Sequence, residues 1–74
     1  MERTYEGESR DGNLQGALEG AVRQLNEDLH EGGVVDALAS WVITKIAGQQ
    51  GGIAGFHSVK VTITARRSPE WTLS

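Results

Sequence analysis

Few residues of this chain are able to do chemistry, and they do not form a catalytic set. The chain has two histidines and no cysteine, which is too few ligands for a self-contained zinc site. Acid–base catalysis needs two titratable groups with separated pKa values in one cleft. Here the carboxylates lie in the N-terminal segment and on the outer face of a predicted helix, and no serine has an evident base. The sequence therefore predicts a protein that is not an enzyme.

The two histidines have different settings. His57 begins the last predicted strand, where its ring could donate a hydrogen bond to a carbonyl of a bound ring or to a phosphate. The alternative is a partly exposed strand histidine without a ligand. His30 lies near a predicted helix C-terminus, where a protonated imidazole interacts favourably with the helix dipole. The glycine-rich segment 48–55 is not a phosphate loop, because it joins two strands and no Gly-Lys-Ser/Thr follows.

Composition narrows the class of protein further. The 74 residues make one domain with a net charge of −3, and Arg66-Arg67 is interpreted as a solvated strand end, so no nucleic-acid partner is expected. No apolar run approaches the roughly 20 residues of a membrane span, and residues 1–12 do not resemble a signal peptide. We therefore expect a cytoplasmic protein. A cysteine-free domain this small usually gains stability by oligomerising.

Hydrophobic periodicity places one helix and one clear strand. An apolar stripe at helical spacing predicts a helix from about Asn13 to His30, capped by Asn13 or Asp11 and ended by Gly32-Gly33. The stripe consists of Leu14, Ala17, Leu18, Ala21, Val22, Leu25 and Leu29. Strict alternation over 57–67 predicts the last strand, which Ser68-Pro69 ends.

The remaining segments are strands, turns and a tail. Residues 2–10 read as a polar edge strand, and segment 34–40 is either helical or extended. Residues 41–47 predict a second strand, with Trp41 and Ile43 on one face and Val42 and Ile46 on the other. Because both faces are apolar, that strand is central in the sheet or lies at a subunit interface. The tail after Pro69 is either frayed or docked through Trp71 and Leu73.

These elements predict an α+β fold: a single β-α-β-β domain, a three-stranded sheet with one helix packed across one face. The connection through the helix favours parallel neighbouring strands, and the hairpin makes the last pair antiparallel. The face without a helix should carry the hydroxyls and Lys60 of the last strand together with one side of the Trp41 strand. A face that mixes the tryptophan and an isoleucine of that strand with hydroxyls suits a wet subunit interface or a ligand surface.

Four stretches of the chain match one known family: the helix start at 13–22, Ser40-Trp41-Val42, residues 45–48 and the valine-rich strand 59–63. In these stretches the chain resembles the dodecins, small flavin-binding proteins with a strand-helix-strand-strand fold that assemble into hollow dodecamers. It covers nearly the whole chain, so residues 1–74 are interpreted as one dodecin-like domain, with 68–74 as a short C-terminal tail. The chain departs from the family in a longer stretch at 31–37 and in its ending after Pro69.

The resemblance also implies a ligand and an assembly. In the dodecins the tryptophan that matches Trp41 stacks on the flavin, whereas here Trp41 is either such a platform or a core or interface residue. The glutamine that holds the flavin in the family is replaced by Ser58, with His57 beside it. The implied function is a homo-oligomer, which in the family is a dodecamer. It either stores FMN or riboflavin between subunits at Trp41, His57 and Ser58, or forms a shell with an altered pocket. The alternative is a small protein–protein interaction module that uses an exposed sheet face.

Overall fold

The computed structural model describes residues 2–53 and 55–71, except for the side chain of Phe56. Its elements are β1 (Glu2–Ser9), α1 (Leu14–Leu29), β2 (Leu38–Gly51) and β3 (Phe56–Ser68). The strand order is β1-β3-β2, and β3 is antiparallel to both of its neighbours. The predicted α+β class is therefore confirmed. The expected parallel neighbours do not occur, because β3 lies between β1 and β2.

Helix α1 begins where its sequence predicts. The Asn13 side chain accepts a hydrogen bond from the Gly16 backbone N–H at 3.1 Å, so Asn13 is the N-cap. The helix ends at Leu29 with His30 as its C-cap (φ −98°). The left-handed residues Gly32 and Gly33 come after that end (φ 83° and 78°), so they turn the chain away from the helix without capping it.

The core lies between α1 and the two strands β1 and β3. Its buried residues are Tyr5, Ala17, Ala21, Leu25, Val61, Ile63, Ala65 and Trp71. The helix approaches β1 so closely that a Cβ added at Gly7 would overlap the carbonyl oxygen of Ala17. A Cβ at Gly20 would lie 3.5 Å from the Gly7 Cα. The close approach of helix and sheet is therefore made at Gly7, whereas a side chain at Gly20 would make an ordinary contact.

Strand β2 is longer than its sequence pattern predicts. Residues 34–37 are irregular, and the strand begins at Leu38, ahead of Trp41. At its other end the four residues from Gly48 to Gly51 pair with β3. The predicted turn at 48–55 was therefore too long. Residues 48–51, its first half, are extended because they pair with β3.

A β-bulge in β2 decides which side chains share a face. Ile43 pairs with Ile63 and Lys45 pairs with Thr62, so Thr44 is the extra residue. Beyond the bulge, Ile46 pairs with Val61 and points to the same side of the sheet as Ile43 and Trp41, the side that carries α1. The predicted grouping of Ile46 with Val42 was therefore wrong.

The position of β2 corrects two further expectations. Trp41 does not lie on the hydroxyl face with Thr62 and Thr64, because it pairs with the inward-facing Ala65. Strand β2 is not central either, since it forms one edge of the sheet. The remaining alternative, a subunit interface, stays a prediction.

The segment after β3 folds back onto the end of the helix. Trp71 is 3% exposed, and its Nε1 donates to the Asp28 carbonyl at 3.1 Å. The tail is therefore docked through Trp71, whereas Leu73 lies outside the described residues. In the described part of the chain, no helix is long and apolar enough to cross a membrane.

Candidate functional site

The best candidate site is an open groove between α1 and β2, here called the α1–β2 groove. It has a volume of about 470 Å³, within the size range of small-molecule sites. Its lining consists of Gln15, Leu18, Glu19, Val22, Arg23, Asn26 and Trp41. Trp41 is the only one of these from the sheet, and 39% of it is exposed.

The groove combines an apolar wall with a polar rim. Leu18 and Val22 lie one helical turn apart and are partly buried against the core. On the rim, Gln15 Nε2 donates to Glu19 Oε1 at 3.2 Å. Arg23 and Asn26 have no side-chain hydrogen bond or ion pair with any residue that the structure describes. A flat ring could stack on the Trp41 indole here, with a guanidinium and an amide near its edge.

Trp41 continues into a row of side chains on the helix side of β2. We call this set the β2 row. It consists of Ala39, Trp41, Ile43, Ile46, Gly48 and Gln50. Ile43 is 42% exposed and Ile46 is 55% exposed, because α1 packs against β1 and β3 and leaves β2 uncovered. The chain therefore exposes an apolar strip beside its own core.

The structure does not bring His57 and Ser58 to Trp41 within one chain. Trp41 lies opposite Ala65, and His57 is eight residues away along β3 (65 − 57). At about 3.3 Å per residue, that separation is roughly 26 Å. Ser58 precedes the inward-facing Val59 and so faces the other side of the sheet. These three predicted site residues could meet only through a second subunit.

His57 instead borders a recess near the start of α1. The recess has a volume of about 290 Å³ and is lined by Gly12, Gly48, Gln50, His57, Ser58 and Val59. The His57 ring occupies the space above Gly12 (φ 73°), since a Cβ there would lie 2.5 Å from its Cδ2. His57 Nδ1 is 3.4 Å from the Gly55 carbonyl oxygen. The His57 residue is exposed, and its Nε2 atom has no hydrogen-bond partner among the described residues.

The outer face of the sheet, which is the side away from α1, is largely polar, and several of its charged side chains form ion pairs with one another. Lys60 Nζ lies 3.6 Å from Glu6 Oε1, and Arg66 donates to Glu2 Oε1 at 2.9 Å. That contact raises the pKa of the Arg66 guanidinium. A depression of about 460 Å³ on this face includes Lys45, Ser58 and Lys60 among its lining residues. Its mixed charges give it no clear preference for a cation or an anion.

A buried polar cluster closes the C-terminal end of α1. Arg67 is 5% exposed, and its Nη1 donates to the carbonyls of Leu29 at 2.9 Å and Glu31 at 2.8 Å. Its Nε donates to the Pro69 carbonyl at 2.8 Å. Arg67 thus satisfies helix-end carbonyls that would otherwise lack partners. The interpretation of Arg67 as a solvated strand end was wrong.

Arg3 and Tyr5 complete this cluster from β1. The Arg3 guanidinium lies 4.7 Å from the Trp71 ring centroid and donates two hydrogen bonds to the Glu31 carboxylate. These bonds hold the pKa of Glu31 below its ordinary value. Burial, and then the hydrogen bond that Tyr5 donates to Asp28 at 2.9 Å, raise the pKa of the Tyr5 phenol. The contacts of the cluster join β1, β3, the end of α1 and the returning segment at Trp71, which indicates a structural role.

Sequence reasoning missed this cluster, although one signal was present. Arg67 continues the inward alternation of Val61, Ile63 and Ala65, so its position in the period-two pattern predicts burial. A charged residue at such a position needs partners, and the end of α1 supplies them.

Neither a group of metal ligands in the described part of the chain nor a known relative identifies this site. Among the residues described, no three His, Cys, Asp or Glu side chains are grouped so as to hold a metal ion. Comparison of the chain with family models, with curated proteins and with solved structures finds no significant match.

Proposed function

We propose that this chain is a non-enzymatic, dodecin-like cytoplasmic protein that forms a homo-oligomer and holds a flat cofactor, such as riboflavin or FMN, between subunits. The observation that carries the proposal is the exposure of Trp41 and its apolar neighbours in the β2 row, at the mouth of the α1–β2 groove. A half-exposed indole is a stacking surface for an aromatic ring. The cysteine-free composition is in keeping with a reducing compartment.

The distances between the predicted site residues require two chains if these residues hold one ligand. Along the sheet from Trp41, His57 lies roughly 26 Å away and Ser58 roughly 23 Å away, at about 3.3 Å per residue. A single ligand could contact Trp41 and His57 only if His57 came from a neighbouring chain. Without that contribution, the polar partners of a ligand at Trp41 would be Arg23 and Asn26 of the same chain.

The proposal is tested by mass and by fluorescence. Light scattering at micromolar concentration should give a mass of several subunits, and riboflavin or FMN should quench tryptophan emission saturably. Trp71 is 3% exposed, so quenching by contact should arise from Trp41 and should disappear in Trp41→Phe. A monomeric mass would contradict the oligomer. If the protein is an oligomer and neither flavin quenches its tryptophan emission, flavin binding is contradicted. The proposal that would then remain is a shell with an altered pocket.

The second candidate function is a small protein–protein interaction module. It is favoured by the outer face of the sheet, which lies on the side away from α1 and carries Lys45 and Glu8 among exposed polar residues. A stable monomer that binds a partner protein, and that loses this binding when Lys45→Glu is introduced, would favour the module over the oligomer.

A further inference from the structure

We infer that two copies of this chain meet face to face through the β2 row, about a two-fold axis, and that the outer face of β2 stays outside this contact. The inference rests on the proposed homo-oligomer and specifies its interface. It depends on the bulge at Thr44, which determines the composition of each face of β2.

The bulge separates the charge of β2 from its apolar side chains. Lys45 is the only charged residue between Leu38 and Gly51. Because Thr44 is absorbed as an extra residue, Lys45 pairs with Thr62 on the outer face and Ile46 pairs with Val61 on the helix side. In a regular strand Lys45 would take the helix-side position next to Ile43. The β2 row is consequently free of charge from Ala39 to Gln50.

A charge-free row is complementary to itself. In a two-fold contact the same patch of each copy faces its equivalent, so a lysine near the axis would meet the lysine of the other copy. The β2 row avoids this repulsion and brings Ile43, Ile46 and Trp41 against apolar neighbours. The outer face offers no such match, since burial would desolvate Lys45 and the paired Lys60 and Glu6.

The small core of the chain favours a second copy as the occupant. The largest fully buried side chains in the core are Ile63 and Val61. The fully buried residues that α1 contributes to the core are two alanines, Ala17 and Ala21. The β2 row leaves three large apolar side chains, Trp41, Ile43 and Ile46, exposed outside this core. If burial of these side chains is needed for stability, the chain needs a partner that covers them. A second copy of the chain is present whenever the protein is made.

The same bulge argues against association through the strand edge. Edge-to-edge pairing needs a regular row of free N–H and C=O groups, and a bulge interrupts such a row. Thr44 lies near the middle of the Trp41–Ile46 stretch. Contact through the face of β2 needs no backbone pairing, so the bulge does not disturb it.

A matched pair of substitutions tests the inference. Ile46 and Val42 are both β-branched, both lie on β2 and are 55% and 62% exposed, but they occupy opposite faces. Ile46→Lys should weaken association at least tenfold in light scattering or sedimentation, whereas Val42→Lys should leave the mass unchanged. Far-UV circular dichroism should show the same fold for both variants, because each replaced side chain is exposed in the single chain.

The outcomes separate the inference from the function it rests on. A monomeric wild type would overturn the homo-oligomer itself. An oligomeric wild type that Val42→Lys dissociates, or that Ile46→Lys leaves intact, would overturn only the assignment of the interface to the β2 row. If Ile46→Lys fails to fold, single cysteines at Ile43 and Ile46 replace it, since the chain has no other cysteine. At least one should form an intermolecular disulfide under mild oxidation, and Val42→Cys should not; the reverse pattern would contradict the inference.

Discussion

Ile63, in the middle of β3, has a neighbour on each side within the same face of the sheet. On β1 the neighbour is Tyr5, which is 8% exposed, and on β2 it is Ile43, which is 42% exposed. The two positions are equivalent in the sheet, and they differ because α1 packs over β1 and β3 and leaves β2 uncovered. One helix can cover only part of a three-stranded face. The same face of the sheet is therefore core along β1 and β3 and exposed surface along β2.

The part of the sheet that α1 covers should be least tolerant of substitution where the backbones of helix and sheet are in contact. Gly7→Ala should destabilise the fold by about 3 kcal/mol or more, since its Cβ would overlap the Ala17 carbonyl and force the helix away from β1. Urea unfolding measures the loss. Gly20→Ala is the control: its Cβ would make an ordinary 3.5 Å contact, so better helix propensity should make it neutral or stabilising. Equal losses in both variants would contradict the close approach at Gly7.

The pair Ile63 and Ile43 tests the comparison most directly. Ile63→Ala should cost about 2–4 kcal/mol, because it leaves a cavity beneath α1. Ile43→Ala removes the same atoms from an exposed site and should cost about 1 kcal/mol or less in the single chain. Urea unfolding at the lowest workable protein concentration gives both values. A loss at Ile43 that grows with protein concentration would mean that association buries it.

The adjacent arginines of β3 repeat the contrast on a smaller scale. Arg67→Gln should cost about 1–3 kcal/mol, because it removes hydrogen bonds from the buried carbonyls of Leu29 and Glu31. Arg66→Gln should unfold like the wild type, since its ion pair with Glu2 is exposed. Thermal unfolding followed by circular dichroism compares the two variants. A similar loss for both would argue against a structural role for Arg67.

The smallest expected effect is a pH dependence within the covered region. Burial and the hydrogen bond to Asp28 raise the pKa of Tyr5 above its ordinary value of 10.0. A raised pKa means that folding favours the protonated phenol, so this stabilisation is complete below pH 10 and is lost as the pH rises through the folded-state pKa. Urea midpoints between about pH 8 and pH 11 should fall in the wild type. They should fall less in Tyr5→Phe, and parallel curves for the two proteins would contradict the assignment to Tyr5.

Much of the framework follows from local sequence. The apolar stripe from Leu14 to Leu29 and the cap at Asn13 define α1, because helix periodicity and capping depend on residues within a few positions of one another. The alternation in β3 predicts a strand and the polar pattern of β1 predicts an edge strand in the same way. The central place of β3 is known only from the pairing of the strands. The candidate site was predictable only in part: the sequence identifies Trp41, and its role toward a ligand stays a prediction.

The facing of β2 and the hydrogen-bond partners of the buried Arg67 depend on contacts between distant segments. Nothing in the local sequence around Trp41 indicates that Thr44 is the extra residue, because a bulge is defined only by pairing with β3. Arg67 is buried because the end of α1 and the returning tail present carbonyl groups to it. The separation of Trp41 from His57 likewise follows from the register of β2 on β3. Local sequence is enough to predict that one helix and three strands form, because their periodicity involves residues only a few positions apart. Which side chains share a face depends on pairing between segments far apart in the chain.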